Sequence, residues 1–283
     1  MVILKMIYSQ DIDLAKNLQA LKALLNKKGI NIGLVESFED NNYIMKIICD
    51  LEMHNENIID ILNLYISNEL YRLVIRQYKS NELYQFLSEN FFFLKQEEIF
   101  EVEESITNVL NLEDEIKDDV SIFCMNRINQ IVEKIKSCIE DNPEININGF
   151  LTFRTKEIRE EFEEIIERIV DRYMVEKEYK EFIKLLKYFV DIQESKINLV
   201  NLYVQPHGGY TLKDEDGKDV LNIFLSELSE CKIGVDANLE DVIISGLITS
   251  VPKKIKIYGK EICSNKEFLD TIIKVFGERV TIC

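Results

Sequence analysis

Apolar residues in the first fifty positions change their spacing several times, and each change predicts a new element. The run from Val2 to Tyr8 is apolar and β-branched, which is typical of a strand. Apolar runs at residues 31–38 and 43–50 are separated by a polar cluster, which predicts a hairpin. Four leucines at helical spacing before Gly29 predict a helix between the first strand and the hairpin: Leu14, Leu18, Leu21 and Leu25.

An amphipathic helix follows the hairpin, and its apolar stripe runs from Ile58 to Val74. Residues 1–80 therefore predict an N-terminal α+β part, a βαββα unit. One more strand, supplied from elsewhere in the chain, would complete a ferredoxin-like sheet.

Residues 81–195 show helical periodicity and no convincing strand. One apolar stripe predicts a helix that ends near Asp141, just before the helix breaker at residues 142–143. Two further stripes extend from Ile158 to Tyr173 and from Tyr179 to Val190, and their short spacing predicts an antiparallel helix pair. The segment is predicted to be an all-helical central part.

The pattern changes again in residues 196–283, the C-terminal α+β part. From Ile197 to Val204 both alternating sets of positions are largely apolar, which predicts a strand buried on both faces. Glycine-containing turns flank residues 210–213 and predict a hairpin or small meander. From Leu239 onward helix, strand, helix and strand alternate, and the last three elements predict a βαβ ending. The fold class is α+β, and the three parts pack as one or as two compact units.

Composition supplies ample material for a core, because 46% of the residues are hydrophobic and 15 Phe and 12 Tyr are among them. The formal net charge of −17 repels phosphate backbones and anionic lipid, so nucleic acid is not expected as a partner. The apolar start is broken by Lys5 and predicts a strand rather than a signal peptide. No apolar run approaches the roughly 18 residues of a membrane helix. We expect a cytoplasmic protein without membrane insertion.

Short catalytic and metal-binding motifs are absent from the sequence. Six cysteines are scattered singly without a CxxC pair, so most are predicted to be reduced thiols. His207 lies in a glycine-rich turn where backbone approaches a ligand closely, although a plain turn histidine explains it more simply. No cofactor and no metal site are predicted.

Aromatic and charged residues alternate most densely around residues 146–157 and 176–191. An inward-turned Arg154 would need a carboxylate partner, and Glu157, Glu178 and Asp191 are partners of the right type. Such a pair is either structural or part of a ligand site. The candidate ligand-binding residues are Arg154, Glu157, Glu178, Tyr179, Asp191 and His207.

Three stretches carry a resemblance to a known family: INGFLTFRTKEIREE, EKEYKEFIKLLKYFVDIQE and IISGLITSVPKKIKIYG. They resemble the YtxC family of sporulation-associated proteins from endospore-forming bacteria. The resemblance implies a cytosolic protein linked to spore development, with no established activity and no catalytic residues to carry over. The family's usual aromatic after its Arg-x-x-Glu is Ile158 here. The signature positions are Asn148, Gly149, Phe150, Phe153, Arg154, Glu157, Glu178, Tyr179, Phe182 and Asp191.

Two functional hypotheses follow. The preferred one is a non-enzymatic interaction or regulatory protein in sporulation, because motifs are absent and the acidic charge suits a basic protein partner. The alternative is a small-molecule or metal-binding enzyme with a pocket near Arg154, Glu178 and Asp191, in which Arg154 holds an anionic group and one of the carboxylates acts as acid or base.

Overall fold

The structure of the chain, a computed structural model, describes residues 2–9, 12, 14–49, 56–113, 118–206, 208–230 and 238–283. Side chains are described for the same residues except 56, 57, 154, 155 and 227–230. Backbone contacts divide the chain into unit 1 (Met1–Tyr173) and unit 2 (Met174–Cys283). The predicted α+β class is confirmed, and each unit contains one four-stranded sheet. The three-part division at residues 80 and 195 stays a prediction.

Four strands form the sheet of unit 1: β1 (Val2–Tyr8), β2 (Ile32–Glu39), β3 (Asn42–Cys49) and β4 (Glu144–Asn146). Their order across the sheet is β2-β3-β1-β4, with β3 antiparallel to both neighbours and β4 parallel to β1. Leu4, Met6 and Tyr8 of β1 are buried, because alternate strand residues point to the same face. Helix α1 (Leu14–Lys27) buries its four predicted leucines and contacts β2.

The hairpin of β2 and β3 turns at the polar cluster, as predicted. The strand register pairs Glu39 with Asn42, so Asp40 and Asn41 are the two turn residues. Their φ values are 46° and 67°. Two consecutive residues with positive φ are typical of a type I′ turn, which Asp and Asn adopt more readily than most residues. The turn residues thereby help to set the register of the hairpin.

β4 lies inside the segment for which only helices were predicted. Ile145 is buried and pairs with Met6, and Glu144 forms an ion pair with Lys5 at 3.0 Å. The backbone N–H of Lys5 donates to the carbonyl of Pro143 at 2.9 Å. Three residues are too few to show strand periodicity, which is why the sequence pattern missed β4. This strand is the additional one that the N-terminal βαββα unit required.

In the described part of the chain, five further helices lie wholly within unit 1: α2 (Glu56–Tyr78), α3 (Tyr84–Asn90), α4 (Gln96–Leu110), α5 (Asp119–Asp141) and α6 (Ile147–Glu157). A π-helical turn (Lys79–Leu83) joins α2 directly to α3. α2 and α5 pack against each other. α5 ends at Asp141, as its breaker predicted, and most of its predicted apolar stripe is buried: Cys124, Ile128, Ile131, Ile135 and Ile139.

α7 (Arg159–Ile192) is one continuous helix of 34 residues, so the predicted antiparallel helix pair is wrong. The stretch between the two apolar stripes contains no glycine or proline. Glu176, Lys177 and Glu178 are good helix formers, and their polarity alone does not end a helix. The helix ends only before the polar residues 193–195.

Four strands form the sheet of unit 2: β5 (Leu199–Val204), β6 (Tyr210–Lys213), β7 (Lys254–Tyr258) and β8 (Val280–Ile282). Their order is β6-β5-β7-β8. β5 and β6 form the predicted hairpin, and β7 is parallel to both β5 and β8. Helix α10 (Lys266–Phe276) connects β7 to β8, so the predicted βαβ ending is confirmed. β5 buries only alternate residues, Val200, Leu202 and Val204, so one face is buried where two were predicted.

Two further helices lie in the described part of unit 2, α8 (Val220–Glu230) and α9 (Leu239–Ser250). α8 was not predicted. Phe224 of α8 and Leu247 of α9 belong to the same core as Ile255 and Ile257 of β7. Of the helices in the described part of the chain, none has both the length and the apolar character needed to cross a membrane.

Candidate functional site

α3, α4 and the connection between them carry a group of aromatic side chains, several of which are exposed. Phe92 is 84% exposed, Phe93 52% and Phe100 53%. Phe86, Phe91, Phe93 and Phe92 contact one another edge to face in succession, and Phe100 contacts Tyr84, with ring centroids 6.0 to 6.3 Å apart. We call this group the aromatic surface: Tyr84, Phe86, Phe91, Phe92, Phe93 and Phe100.

Backbone hydrogen bonds order the segment that carries this surface. The N–H of Phe91 donates to the carbonyl of Leu87 at 2.9 Å, and the N–H of Leu94 donates to that of Phe91 at 2.9 Å. The side chain of Leu94 is buried and anchors the connection. The N–H of Lys95 donates to Oε2 of Glu98 at 2.8 Å, which caps the start of α4. The exposed rings are therefore presented from an ordered connection.

The face of α4 beside Phe100 is acidic. Glu97, Glu101 and Glu104 are exposed. Residues three or four positions apart in a helix lie on the same side, so Glu97 and Glu104 border Phe100. The aromatic surface is thus flanked by a negative electrostatic potential.

Tyr173 of α7 orients one of these carboxylates. Its hydroxyl donates to Oε2 of Glu101 at 2.8 Å. Burial of the phenol, and then the hydrogen bond to Glu101, raise the pKa of Tyr173 to about 12. The phenol therefore remains a donor throughout the neutral pH range.

The aromatic surface was not predicted from the sequence. Three consecutive phenylalanines, Phe91, Phe92 and Phe93, follow directly after α3. The apolar stripes of α3 and α4 already supply buried residues such as Leu87 and Ile99. An apolar run that lies outside both stripes is not needed to form the core. Such a run in the sequence therefore predicts an exposed aromatic group.

Two of the predicted site residues belong to α6, and a third is outside the described residues. Arg154 lies in α6, but its side chain is outside the described residues, and His207 is outside them altogether. Glu157 is exposed at the end of α6 and lines a cavity of about 320 Å³ together with Cys138 and Asp141. In the described part of the chain, no group of three or more His, Cys, Asp or Glu side chains is arranged to hold a metal ion.

The other three predicted residues lie on the part of α7 that belongs to unit 2. Glu178 is exposed, and Asp191 lies 3.9 Å from Arg279. Because an α-helix rises 1.5 Å per residue, these two carboxylates are about 20 Å apart along α7. Tyr179 instead shares a hydrogen bond of 3.0 Å with the hydroxyl of Thr271 on α10. That the six residues bind a ligand stays a prediction.

A buried polar network in unit 2 joins residues of chemically reactive types. The hydroxyl of Tyr210 donates to Oε1 of Glu240 at 2.5 Å and lies 3.6 Å from Sγ of Cys263. The side-chain amide of Asn265 donates to Oε2 of Glu240. Burial, followed by the hydrogen bond to Glu240, raises the pKa of Tyr210. These contacts tie the first turn of α9 to β6 and to the loop before α10, which is a structural role.

Comparisons with known proteins point to one family. A family model described as the YtxC-like family matches residues 64–281. A curated protein from Bacillus subtilis (strain 168), described as uncharacterized protein YtxC, is 25% identical over 161 residues, which are 55% of this chain and 54% of the relative. The similarity thus spans about half the length of that curated relative. No solved structure matches the chain.

Proposed function

The chain belongs to the YtxC-like family, and on that premise we propose that it acts in the cytoplasm of sporulating cells as a non-enzymatic interaction protein. The observation that carries this proposal is the aromatic surface, which lies within the matched residues. A large exposed aromatic group on an ordered connection is typical of a protein interface.

The proposal assigns most of the binding energy to Phe92 and Phe93. Both rings are exposed on the free chain and would bury their surface on association. Aromatic residues at the centre of an interface frequently contribute at least about 2 kcal/mol each. Because the connection is already ordered by its backbone hydrogen bonds, little conformational entropy is lost on binding.

The acidic face of α4 favours a partner with a basic surface. Glu97, Glu101 and Glu104 would attract a surface rich in Lys and Arg and would repel an acidic one. The partner we expect is a protein with an apolar groove bordered by basic residues. Raising the salt concentration should slow its association, because exposed charges are screened.

Site-specific crosslinking tests this proposal. The photo-crosslinking amino acid p-benzoylphenylalanine replaces Phe92 or, as a matched control, Ile122, another exposed apolar residue of unit 1. We expect a specific protein to crosslink to position 92, not to position 122, in sporulating cells of an endospore-forming bacterium. With the purified partner, the double substitution Phe92→Ala and Phe93→Ala should weaken binding at least about tenfold.

The same double variant should lower spore yield, whereas Ile122→Ala should not. A folded double variant that supports a normal spore yield and binds the crosslinked partner with unchanged affinity would refute the proposal. Turnover of a substrate by the purified chain would refute its non-enzymatic part.

A further inference from the structure

A second cavity of unit 1, of about 380 Å³, lies between α2, the π-helical turn and α6. Its volume is in the range of small-molecule pockets. We call it the polar cavity. Among the described residues that line it, none is acidic, although the chain contains 51 Asp and Glu. Six of the lining residues are polar: Arg76, Gln77, Ser80, Asn81, Asn148 and Thr152.

Three of these polar side chains retain unused hydrogen-bond donors. Arg76, Gln77 and Asn81 make no side-chain hydrogen bond or ion pair with any described residue. Arg72, one turn earlier on α2, is instead paired with Glu69 at 2.9 Å. No described residue pairs with the Arg76 guanidinium, and its planar fork suits an external carboxylate or phosphate group.

The other polar residues fix the walls of the cavity. The side-chain amide of Asn148 donates to Oγ of Ser9 at 2.7 Å, and the hydroxyl of Thr152 donates to the carbonyl of Asn148 at 2.8 Å. The hydroxyl of Ser80 donates to the carbonyl of Arg76 at 2.9 Å. Ser80 also lies on the π-helical turn, a feature that is frequent at functional sites. The cavity is thus ordered before any ligand enters.

Apolar residues form the remainder of the lining: Ile12, Leu73 and Leu151. Leu73 and Leu151 are buried side chains. A ligand that matches both parts of the lining carries an acid group and a short apolar body. We propose that the polar cavity binds a small organic anion of this kind, with its carboxylate or phosphate paired to Arg76 and hydrogen-bonded by Gln77 and Asn81.

Binding of matched probes to the full chain tests the proposal. The probes are isocaproate, butyl phosphate, inorganic phosphate and the neutral isocaproamide, at constant ionic strength. We expect at least one of the two organic anions to raise the melting temperature saturably, because a ligand of the folded state stabilises it. Isocaproamide has the shape of isocaproate without its charge and should give no shift. Inorganic phosphate should bind more weakly than butyl phosphate because it lacks the apolar body.

Comparing isocaproate with butyl phosphate distinguishes a carboxylate ligand from a phosphate ester. Calorimetric titration of Arg76→Gln should show at least about tenfold weaker binding of the preferred anion. Arg72→Gln is the matched control and should bind as the unsubstituted chain does. Circular dichroism verifies that each variant is folded.

The proposal is overturned if neither organic anion gives a saturable shift, or if folded Arg76→Gln binds the anion unchanged. None of these readouts involves the aromatic surface or a protein partner. Failure of the polar cavity as a ligand site and failure of the proposed interaction function are therefore separate results.

Discussion

Unit 1 contains two groups of aromatic side chains with opposite surroundings. Tyr78 and Phe162 are both fully buried, and their rings lie 5.0 Å apart between the end of α2 and the first half of α7. Phe92 and Phe93 of the aromatic surface are exposed, although their rings also contact each other. Two rings contact each other in both places, tilted at 33° in the buried pair and edge to face at 74° in the exposed pair. The two pairs also differ in what covers them.

The comparison separates a stabilising role from a binding role. A buried ring contributes to stability through the apolar area removed from water and through close packing. An exposed ring makes this contribution only when a binding partner buries it. Substitutions in the two groups should therefore have different effects on unfolding.

The largest effect is expected for Phe162→Ala. Removing a fully buried ring leaves a cavity, which should lower the free energy of unfolding by about 3–5 kcal/mol. Urea unfolding followed by circular dichroism measures the loss, with Phe92→Ala as the control. Phe92→Ala should change stability by no more than about 0.5 kcal/mol. Equal losses of stability in Phe162→Ala and Phe92→Ala would contradict the distinction between a buried stabilising ring and an exposed binding ring.

Gly246→Ala should have an intermediate effect on stability. This variant tests whether the packing of a buried ring depends on the space that a neighbouring glycine leaves for it. Phe224 of α8 is buried against Gly246 of α9, and a Cβ at position 246 would overlap its ring. Overpacking of this kind should destabilise unit 2 by about 1–3 kcal/mol. The measurement is the urea midpoint of Gly246→Ala.

A double-mutant cycle with Phe224→Leu supplies the control for this prediction. The smaller side chain should relieve part of the overlap, so the loss in the double variant should be less than the sum of the two single losses. Strict additivity would show that the glycine matters for a reason other than the ring.

A smaller effect than that of Gly246→Ala is expected for Tyr78→Phe. The Tyr78 hydroxyl is buried and has no hydrogen-bond partner among the described residues. Removing an unsatisfied hydroxyl should leave stability unchanged or raise it by up to about 1 kcal/mol. Urea unfolding of this variant at neutral pH measures the change. A loss above about 1 kcal/mol would indicate a hydrogen bond that the packing does not reveal.

The pH dependence of the same variant gives a second test. Burial raises the pKa of Tyr78 above its ordinary value of 10. The folded state then holds the phenol proton more tightly than the unfolded state, so this contribution is complete below pH 10 and is lost as the pH rises above it. Stability should fall less steeply above pH 10 in Tyr78→Phe than in the unsubstituted chain.

Much of the fold could be predicted because the relevant signals are local. The polar cluster around Asp40 and Asn41 predicted the hairpin turn, and the periodicity after Leu239 predicted the βαβ ending. β4 was missed because its three residues form a strand only by pairing with β1. α7 was divided in two because a polar stretch in a helix resembles a turn when its neighbours in space are unknown.

The candidate sites were harder to predict than the fold. The segments that carry the family signature predicted a ligand site with Arg154, Glu178 and Asp191. Glu178 and Asp191 lie far apart on one helix. Phe92 and Arg76 carry no motif. The ring of Phe92 is exposed, and the guanidinium of Arg76 has no partner among the described residues. Both properties depend on residues distant in sequence.

The sequence by itself determined the α+β class, the helical centre, most element boundaries and the family, because spacing, turn residues and shared segments are readable along one chain. The tertiary structure alone decided which aromatic rings are covered and which polar residues surround a cavity. Burial and pairing are relations between elements that fold together. Phenylalanine is therefore buried in the core at position 162 and exposed to solvent at position 92.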